Sequence, residues 1–514
     1  MIRRFLLTAV LICAPFEAVE CSPKKLQSLY DSLDTKSISQ LLAYYQLYPD
    51  SSQGKKTLQQ AWILINGDPS PPSDQTPLLH TLPSTAINAI VDIINRPSAD
   101  TPIDLPKDIL ALIDSAAHRL HHHRLKGHNA TTKEEVLALT SKDIDVTRAV
   151  LLDQFADNQD CLKKVHLYEA TIDLMALQIL ARLSPQASPE EKIREINRFL
   201  FEEMWFRFPP HSKHIENIDL YTFLPSVIDS RRGVCLGVTV LYVCLAQRLN
   251  LPLEIVSPPG HIFPRYRNGE QIINIETTAR GIHLPSDVYL GVDLYSLPTY
   301  DFKEIMGLVA FNQGSVFLQQ QNYHQAANCY ERALTYIPND FLSKELLGYN
   351  YLFIGKKQQA RSLLKEVLSQ QSSHRISSND IIEDYFKGKV DAEGIKALFI
   401  KVDETQQSIV NKRKALTKVL ERCPKFRSGW SALAITWLQL HRTREALDAL
   451  QRCHELDDTD PTIEYYLAVL CAERYNHHEA WNHLHRAEGI VQRYDHSPRA
   501  LKALRQQLQL LCPE

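Results

Sequence analysis

Residues 231–250 read RRGVCLGVTVLYVCLAQRLN, and residues 258–278 read PPGHIFPRYRNGEQIINIETT. In the first stretch Cys235 follows a glycine and opens an apolar run at helical spacing, which predicts a buried helix. A thiol at a helix start gains from unpaired backbone N–H groups and the positive end of the dipole; both favour the thiolate. The same N–H groups can hold a developing oxyanion. Gly233 is expected to supply the permissive backbone for a sharp entry. Cys244 lies deeper in the run and reads as a packed, inert thiol. The second stretch predicts two strands, His261–Tyr266 and Gln271–Thr277, around the turn signal Asn268-Gly269. A two-residue loop at that pair sets His261 opposite Glu276, with Cβ atoms about 4.5–5.5 Å apart. A carboxylate there can orient an imidazole and stabilise its charged form, the third role in a nucleophile–base–orienter set. Asn274, opposite Phe263 on the same face, is the alternative orienting residue. A three-residue loop would break this register. Pro264 removes a ladder donor, so the His261 strand is expected at an edge or with a bulge.

Each residue also has a plainer reading. Cys235 can be a small packing residue, His261 a cap on the turn after Pro-Pro-Gly, and Glu276 a solvated edge carboxylate. What separates the readings is whether the three side chains meet.

The flanks are helical. Residues 22–190 carry apolar residues at three- and four-residue steps, as in YEATIDLMALQILARL, interrupted by Pro-rich breaks such as DPSPPSDQTP. Ser188-Pro189-Glu190-Glu191 predicts a helix start. Residues 191–302 change to helix followed by short strands, Leu253–Val256 being the first. From 303 onward the chain repeats. Gly314, Phe317, Ala326, Tyr330 and Ala333 recur 34 residues on as Gly348, Tyr351, Ala360, Leu364 and Val367. Trp430, Leu433, Ala434, Ala446 and Leu450 recur at the same offset as Glu464, Leu467, Ala468, Ala480 and Leu484. Small residues at this period let two helices approach while large ones fill the groove, as in the tetratricopeptide repeat. The divisions expected are units one and two over 303–371, a degenerate helical insert over 372–424, and units three and four with a terminal helix over 425–514. The fold class is therefore mostly α: an N-terminal helical region, a small α+β core with a β-hairpin, and a C-terminal α-solenoid.

The motif RRGVCLGVTVLYVCLAQRLNLPLEIVSPPGH resembles the bacterial SirB1-type branch of the transglutaminase-like superfamily, a papain-like fold with helices before it and tetratricopeptide-type repeats after it. The resemblance covers roughly 168–300. It implies cysteine chemistry on amides, either hydrolysis or acyl transfer to an amine, with Cys235, His261 and Glu276 at the matching positions. Glu276-Thr277-Thr278 stands where the wider superfamily carries aspartate before proline-threonine.

Composition bounds the alternatives. The 514 residues are 44% hydrophobic and 23% charged, with a formal charge of −3, so no electrostatic footprint favours nucleic acid. Residues 1–21, MIRRFLLTAVLICAPFEAVEC, have the shape of a secretory signal, and no later run is apolar enough to span a bilayer. Export to a periplasmic or extracellular setting is the expectation; a lipid anchor on Cys21 and a cytoplasmic protein are the alternatives. The ten cysteines form no CxxC pair and no disulfide framework. His118, His121, His122, His123 and His128 are read as a solvated basic helix, since no neighbour in sequence completes a metal site. Asn129-Ala130-Thr131 is a glycosylation sequon by pattern only. No cofactor is implied. The partner expected is a protein or peptide held by the repeats, and the alternative to an enzyme is a scaffold built on a retired core.

Overall fold

A computed structural model of the chain describes residues 22–67, 87–88, 90–91, 93, 103, 105–209, 215–370, 374–377, 380–403 and 405–513. The leader-like segment 1–21 lies outside the described residues. The chain divides into two compact units. Unit 1 comprises 1–97, 104–119 and 173–187; its helices include Pro23–Asp31, Ile38–Leu47, Ser52–Asn66 and Lys107–Ala117. Ser37 and Ser51 cap the second and third by accepting the backbone N–H of Gln40 and Gly54.

Unit 2 comprises 98–103, 120–172 and 188–514. Residues 120–172 thus group with the core. The physical reason is visible at the far end of the Cys235 helix. Gln247 accepts the N–H of Val146 at 3.0 Å and donates to the carbonyl of Ile144 at 2.7 Å, while buried Arg248 donates to Thr147 Oγ1.

The Cys235 helix runs Cys235–Arg248 and is buried from Leu236 onward, as its continuous apolar composition requires. Two glycines let it sink into its surroundings. A Cβ on Gly237 would lie 2.2 Å from the Tyr221 carbonyl oxygen, and one on Gly233 would lie 2.5 Å from Val238 Cγ2. Gly233 is therefore required for close approach; the left-handed turn before the helix is taken by Arg231, at φ 55.

Four antiparallel strands cover this helix in the order β3-β2-β1-β4: β1 Glu254–Val256, β2 Phe263–Asn268, β3 Gln271–Asn274 and β4 Thr299–Tyr300. Thr239 Oγ1 reaches the Ile262 carbonyl at 3.4 Å and joins helix to hairpin. Strand β4, two residues long, is too short to leave a pattern in sequence. The hairpin register differs from the one expected. Asn268 pairs with Gln271 and Arg265 with Asn274, so the loop is Gly269-Glu270, with Gly269 at φ 58. Strand β2 is also interior, between β3 and β1, instead of at an edge. Pro264 is tolerated there because its carbonyl still accepts the Ile275 N–H at 2.9 Å. It cannot return the second bond of that pair, and the β2–β3 ladder ends at Arg265↔Asn274.

Helix pairs follow: Glu304–Gln319 with Tyr323–Tyr336, Phe341–Phe353 with Lys357–Ser369, Arg427–Gln439 with Thr443–Leu456, and Pro461–Glu473 with His477–Gln492. The small-residue period has a direct cause. A Cβ on Gly314 would meet the Tyr330 ring at 2.9 Å, and one on Gly348 would meet Leu364 Cδ2 at 2.5 Å. Between the second and third pairs lie helices Asp380–Phe386, Ala392–Leu398 and Gln406–Arg422, the last capped by Thr405. Arg427 ties this insert to the third pair: its guanidinium meets Asp380, Glu383, Asp384 and Asp457 at 2.6–3.1 Å.

Candidate active site

Cys235 is the first residue of its helix and is half-buried; Val234 precedes it without a side-chain cap. The first intrahelical bond runs from Val238 N to Val234 O at 3.0 Å. The N–H groups of the first turn therefore point past the cysteine without intrahelical partners. The entry is held from two sides. Arg207 N donates to Arg231 O at 3.1 Å, Gly233 N to Arg207 O at 3.2 Å, and Val234 N to Tyr221 O at 3.1 Å.

His261 sits just before β2, its N–H donated to Pro258 O at 3.0 Å. Its side chain is 25% exposed, while that of Glu276 is 5% exposed. Their atoms Nε2 and Oε2 lie 2.7 Å apart. With Nε2 committed to Glu276, Nδ1 is the ring nitrogen left to face Cys235. The hydrogen bond with the Cys235 thiol and the bond to Glu276 together raise the His261 imidazolium to about 9, against the opposing effect of burial. Burial by itself would raise the Glu276 carboxyl. Hydrogen bonds from His261, Thr278 and Tyr289 outweigh it and hold the group down at about 2.

Histidine and carboxylate meet although the ladder register is not the one expected. The true register differs by two residues, and a strand's faces repeat every two residues. His261 and Glu276 thus stay on one face as diagonal neighbours beyond the ladder's end, within reach of long side chains. Glu276 then leaves the hairpin, bonding N–H to Ile282 O at 2.9 Å. The alternative orienting residue, Asn274, is engaged elsewhere. Its Oδ1 accepts from Arg265 Nε at 2.7 Å and its Nδ2 donates to Leu284 O at 2.7 Å.

Tyr289 is a member of the site that sequence reasoning missed. Its hydroxyl donates to Glu276 Oε2 at 2.8 Å, and its ring stacks on His261 and Phe263 at centroid distances of 5.9 and 4.3 Å. It lies on an irregular loop with no periodic signal to flag it. Thr278, beside Glu276, donates both N–H and Oγ1 to Glu276 Oε1.

Two larger cavities, about 640 and 570 Å³, are lined without any of Cys235, His261 or Glu276. A smaller one of about 230 Å³ adjoins the site: Gly233, Val238, Thr277 and Thr278 line it, with Phe201, Phe206, Arg207, Phe208 and Arg280.

The other thiols contrast with Cys235. Among the described residues no disulfide forms, and burial pushes the Cys244 thiol up to about 12. The histidine run is not one solvated helix. The helix Lys107–Ala117 ends before His118, and His121–Arg124 and Lys126–Asn129 are short 3₁₀ turns. His122 is buried, and the fold brings in a distant carboxylate: ligand atoms of His122, His128 and Asp145 lie within 4.8 Å of one another. Burial would raise Asp145, but the hydrogen bond from His128 and the charge of Arg248 hold it well below the usual carboxylate range. The Arg248 charge is thus already set against this buried carboxylate.

Comparison with known proteins bears on the same region. Residues 166–322 match the model of the transglutaminase-like superfamily, and residues 309–340 that of a tetratricopeptide repeat. The UPF0162 protein of Xylella fastidiosa strain 9a5c is 24% identical over 266 residues, 48% of this chain and 89% of that protein. The protein of the same name from strain Temecula1 / ATCC 700964 matches to the same extent. Solved structures of MamA also align, among them MamA 41-end from Desulfovibrio magneticus RS-1, at 16% identity over 37% of this chain and 97% of that one. Their TM-score of 0.19 supports no statement about shared form or function. The chain carries a transglutaminase-like domain over residues 166–322, followed by tetratricopeptide repeat at 309–340.

Proposed function

We propose that this chain is a cysteine-dependent amide hydrolase or acyltransferase of the SirB1-type branch, with its repeats as a protein-binding arm. The observation that carries the reading is the constellation of Cys235 at a helix start, His261 beside its thiol, and Glu276 at 2.7 Å from the imidazole. A histidine held protonated to about 9 is an acid at neutral pH, able to give its proton to a leaving group. The Cys235 sulfur attacks an amide carbonyl, and the backbone N–H groups of the helix start receive the oxyanion. His261 delivers its proton to the departing amine, leaving a thioester. Water or a second amine then attacks that thioester. His261, now neutral, takes the incoming proton, and the thiolate is released. Glu276, anchored by Tyr289 and Thr278, keeps the ring in place through both halves.

The test is thiol reactivity. Near neutral pH, Cys235 should alkylate with iodoacetamide at least tenfold faster than Cys244, and His261→Ala should remove most of that difference. Equal, slow alkylation of the two thiols would leave the second reading, a catalytically retired core that carries the repeats. Incubation with a labelled amine donor, comparing the native chain with Cys235→Ala, separates acyl transfer from hydrolysis. On the pattern of residues 1–21 we also propose export, read by fractionation of cells making the full chain.

A further inference from the structure

The 230 Å³ cavity beside Cys235 has a lining at odds with a passive gap. Its wall is aromatic and its charges are of one sign. Phe201, on the π-helical turn Arg198–Glu203, and Phe206 are buried, and Phe208 is partly exposed. Arg207 and Arg280 supply two guanidinium groups to one lining, and burial together with the Arg280 charge lowers Arg207 from its ordinary value. Arg207 Nη1 donates to the Phe206 carbonyl at 2.7 Å, and its guanidinium lies 4.9 Å from the Trp205 ring centroid. Neither arginine has a carboxylate partner among the described residues. Arg207 is half-buried and Arg280 is exposed, so the two guanidinium groups face an opening that an anion can enter from solvent.

The cavity is also fastened to the chemistry. The strand-like segment that carries Phe206, Arg207 and Phe208 is hydrogen-bonded through Arg207 to Arg231 and Gly233, the residues leading into Cys235. On the opposite wall, Thr278 is bonded to Glu276, and Arg280 follows two residues later in a left-handed conformation, φ 64. Trp205, whose ring lies against the Arg207 guanidinium, is likewise left-handed, at φ 59, and is 66% exposed. Non-glycine residues in that conformation cost energy and persist where surroundings hold them.

We propose that Arg207 and Arg280 form a carboxylate-binding subsite, so that the amide processed at Cys235 belongs to an acidic peptide. The apolar walls would take the aliphatic or aromatic portion beside that carboxylate, and the arginines would grip its oxygens in the forked geometry guanidinium favours. As to what the subsite serves, this rests on the catalytic reading; as a binding site it does not. The carboxylate can come from a glutamate or aspartate side chain or from a peptide C-terminus, and the probes distinguish the two.

The experiment uses the full chain carrying Cys235→Ala, so its outcome is independent of thiol chemistry. The five tryptophans are labelled with 5-fluorotryptophan, and Trp205→Phe assigns the signal of the ring against Arg207 by ¹⁹F NMR. Three peptides are titrated: N-acetylglutamate α-amide, N-acetylglutamine as free acid, and N-acetylglutamine α-amide. A saturable shift of the Trp205 signal with one or both carboxylates, and at least tenfold weaker binding of the doubly neutral amide, is expected. Binding by the first alone names a side-chain carboxylate, and by the second alone a C-terminus. Arg280→Asn, which keeps a residue tolerant of the left-handed conformation, and Arg207→Gln should each weaken binding at least fivefold. Equal response to all three probes, no response, or a carboxylate preference that survives both substitutions would overturn the proposal. Failure of Cys235 to alkylate faster than Cys244 would overturn the catalytic reading and leave this binding result standing.

Discussion

His261 and Glu276 make the site's strongest mutual demand. The imidazolium is raised from 6.5 to about 9, so the stability it contributes is complete below pH 6.5 and is lost as pH rises through 9. The carboxyl is lowered from 4.5 to about 2, so its contribution is complete above pH 4.5 and is lost as pH falls through 2. Both operate in full only between pH 4.5 and 6.5. A histidine-selective NMR titration should place the His261 midpoint near pH 9, and Glu276→Gln should move it down by more than one unit. A midpoint near 6.5 in the unmodified chain would contradict the pairing. Tyr289→Phe keeps the ring stack and deletes the hydroxyl donated to Glu276. It should lower the His261 midpoint in the same direction by less than Glu276→Gln does, and slow iodoacetamide labelling of Cys235 severalfold.

At the scale of elements, the Cys235 helix and the hairpin are positioned by small residues and one proline. Gly237→Ala would press a methyl group to 2.2 Å from the Tyr221 carbonyl, and backbone cannot swing aside as a side chain can. The expected loss is about 1–3 kcal/mol by urea denaturation, with Cys235 reactivity falling as the helix start shifts. Gly269→Ala meets open space but must hold φ 58, costing about 1 kcal/mol. That site is remote enough that His261 should titrate as before. Much of this was legible beforehand: Cys235 at a helix start, two strands around Asn268-Gly269, and the 34-residue period all follow from local pattern. The register did not, because the turn pair is ambiguous by one position on each side. Only the pairing of β2 with β1 and β3, Ile255↔Pro264 and Arg265↔Asn274, settles it.

Within unit 2, the core and the repeats share more than a linker. Val292 packs in the cluster formed by Ala468, Ala480 and Leu484 of the last repeat pair and Leu508 of the terminal helix Arg499–Leu511, and Asp293 receives Arg375 Nε at 2.7 Å. These residues follow Tyr289 by only three or four positions, so the loop that braces Glu276 is itself braced by the repeats. Arg427 closes the same frame, its side chain 6% exposed among four carboxylates. Arg427→Ala leaves Asp384, fully buried, with Lys389 as its one remaining cation among the described residues, at 3.0 Å. A loss of about 1–3 kcal/mol is expected in urea denaturation, with Arg427→Lys recovering part of it. A loss under 1 kcal/mol would show that the network is solvated in practice.

Sequence by itself determined much of the local grammar of this protein: the main helical stretches, a hairpin turning close to Asn268-Gly269, which cysteine opens a buried helix, and the period of the repeats. Those follow from backbone propensity and from the spacing of apolar residues, which act over a few positions. Tertiary structure alone decided that Tyr289 joins Glu276, that Asn274 turns to Arg265, that Asp145 meets the histidines, and that two arginines from separate segments line one cavity. Such meetings depend on chain segments far apart in sequence being packed against a common core, and no local pattern records that distance.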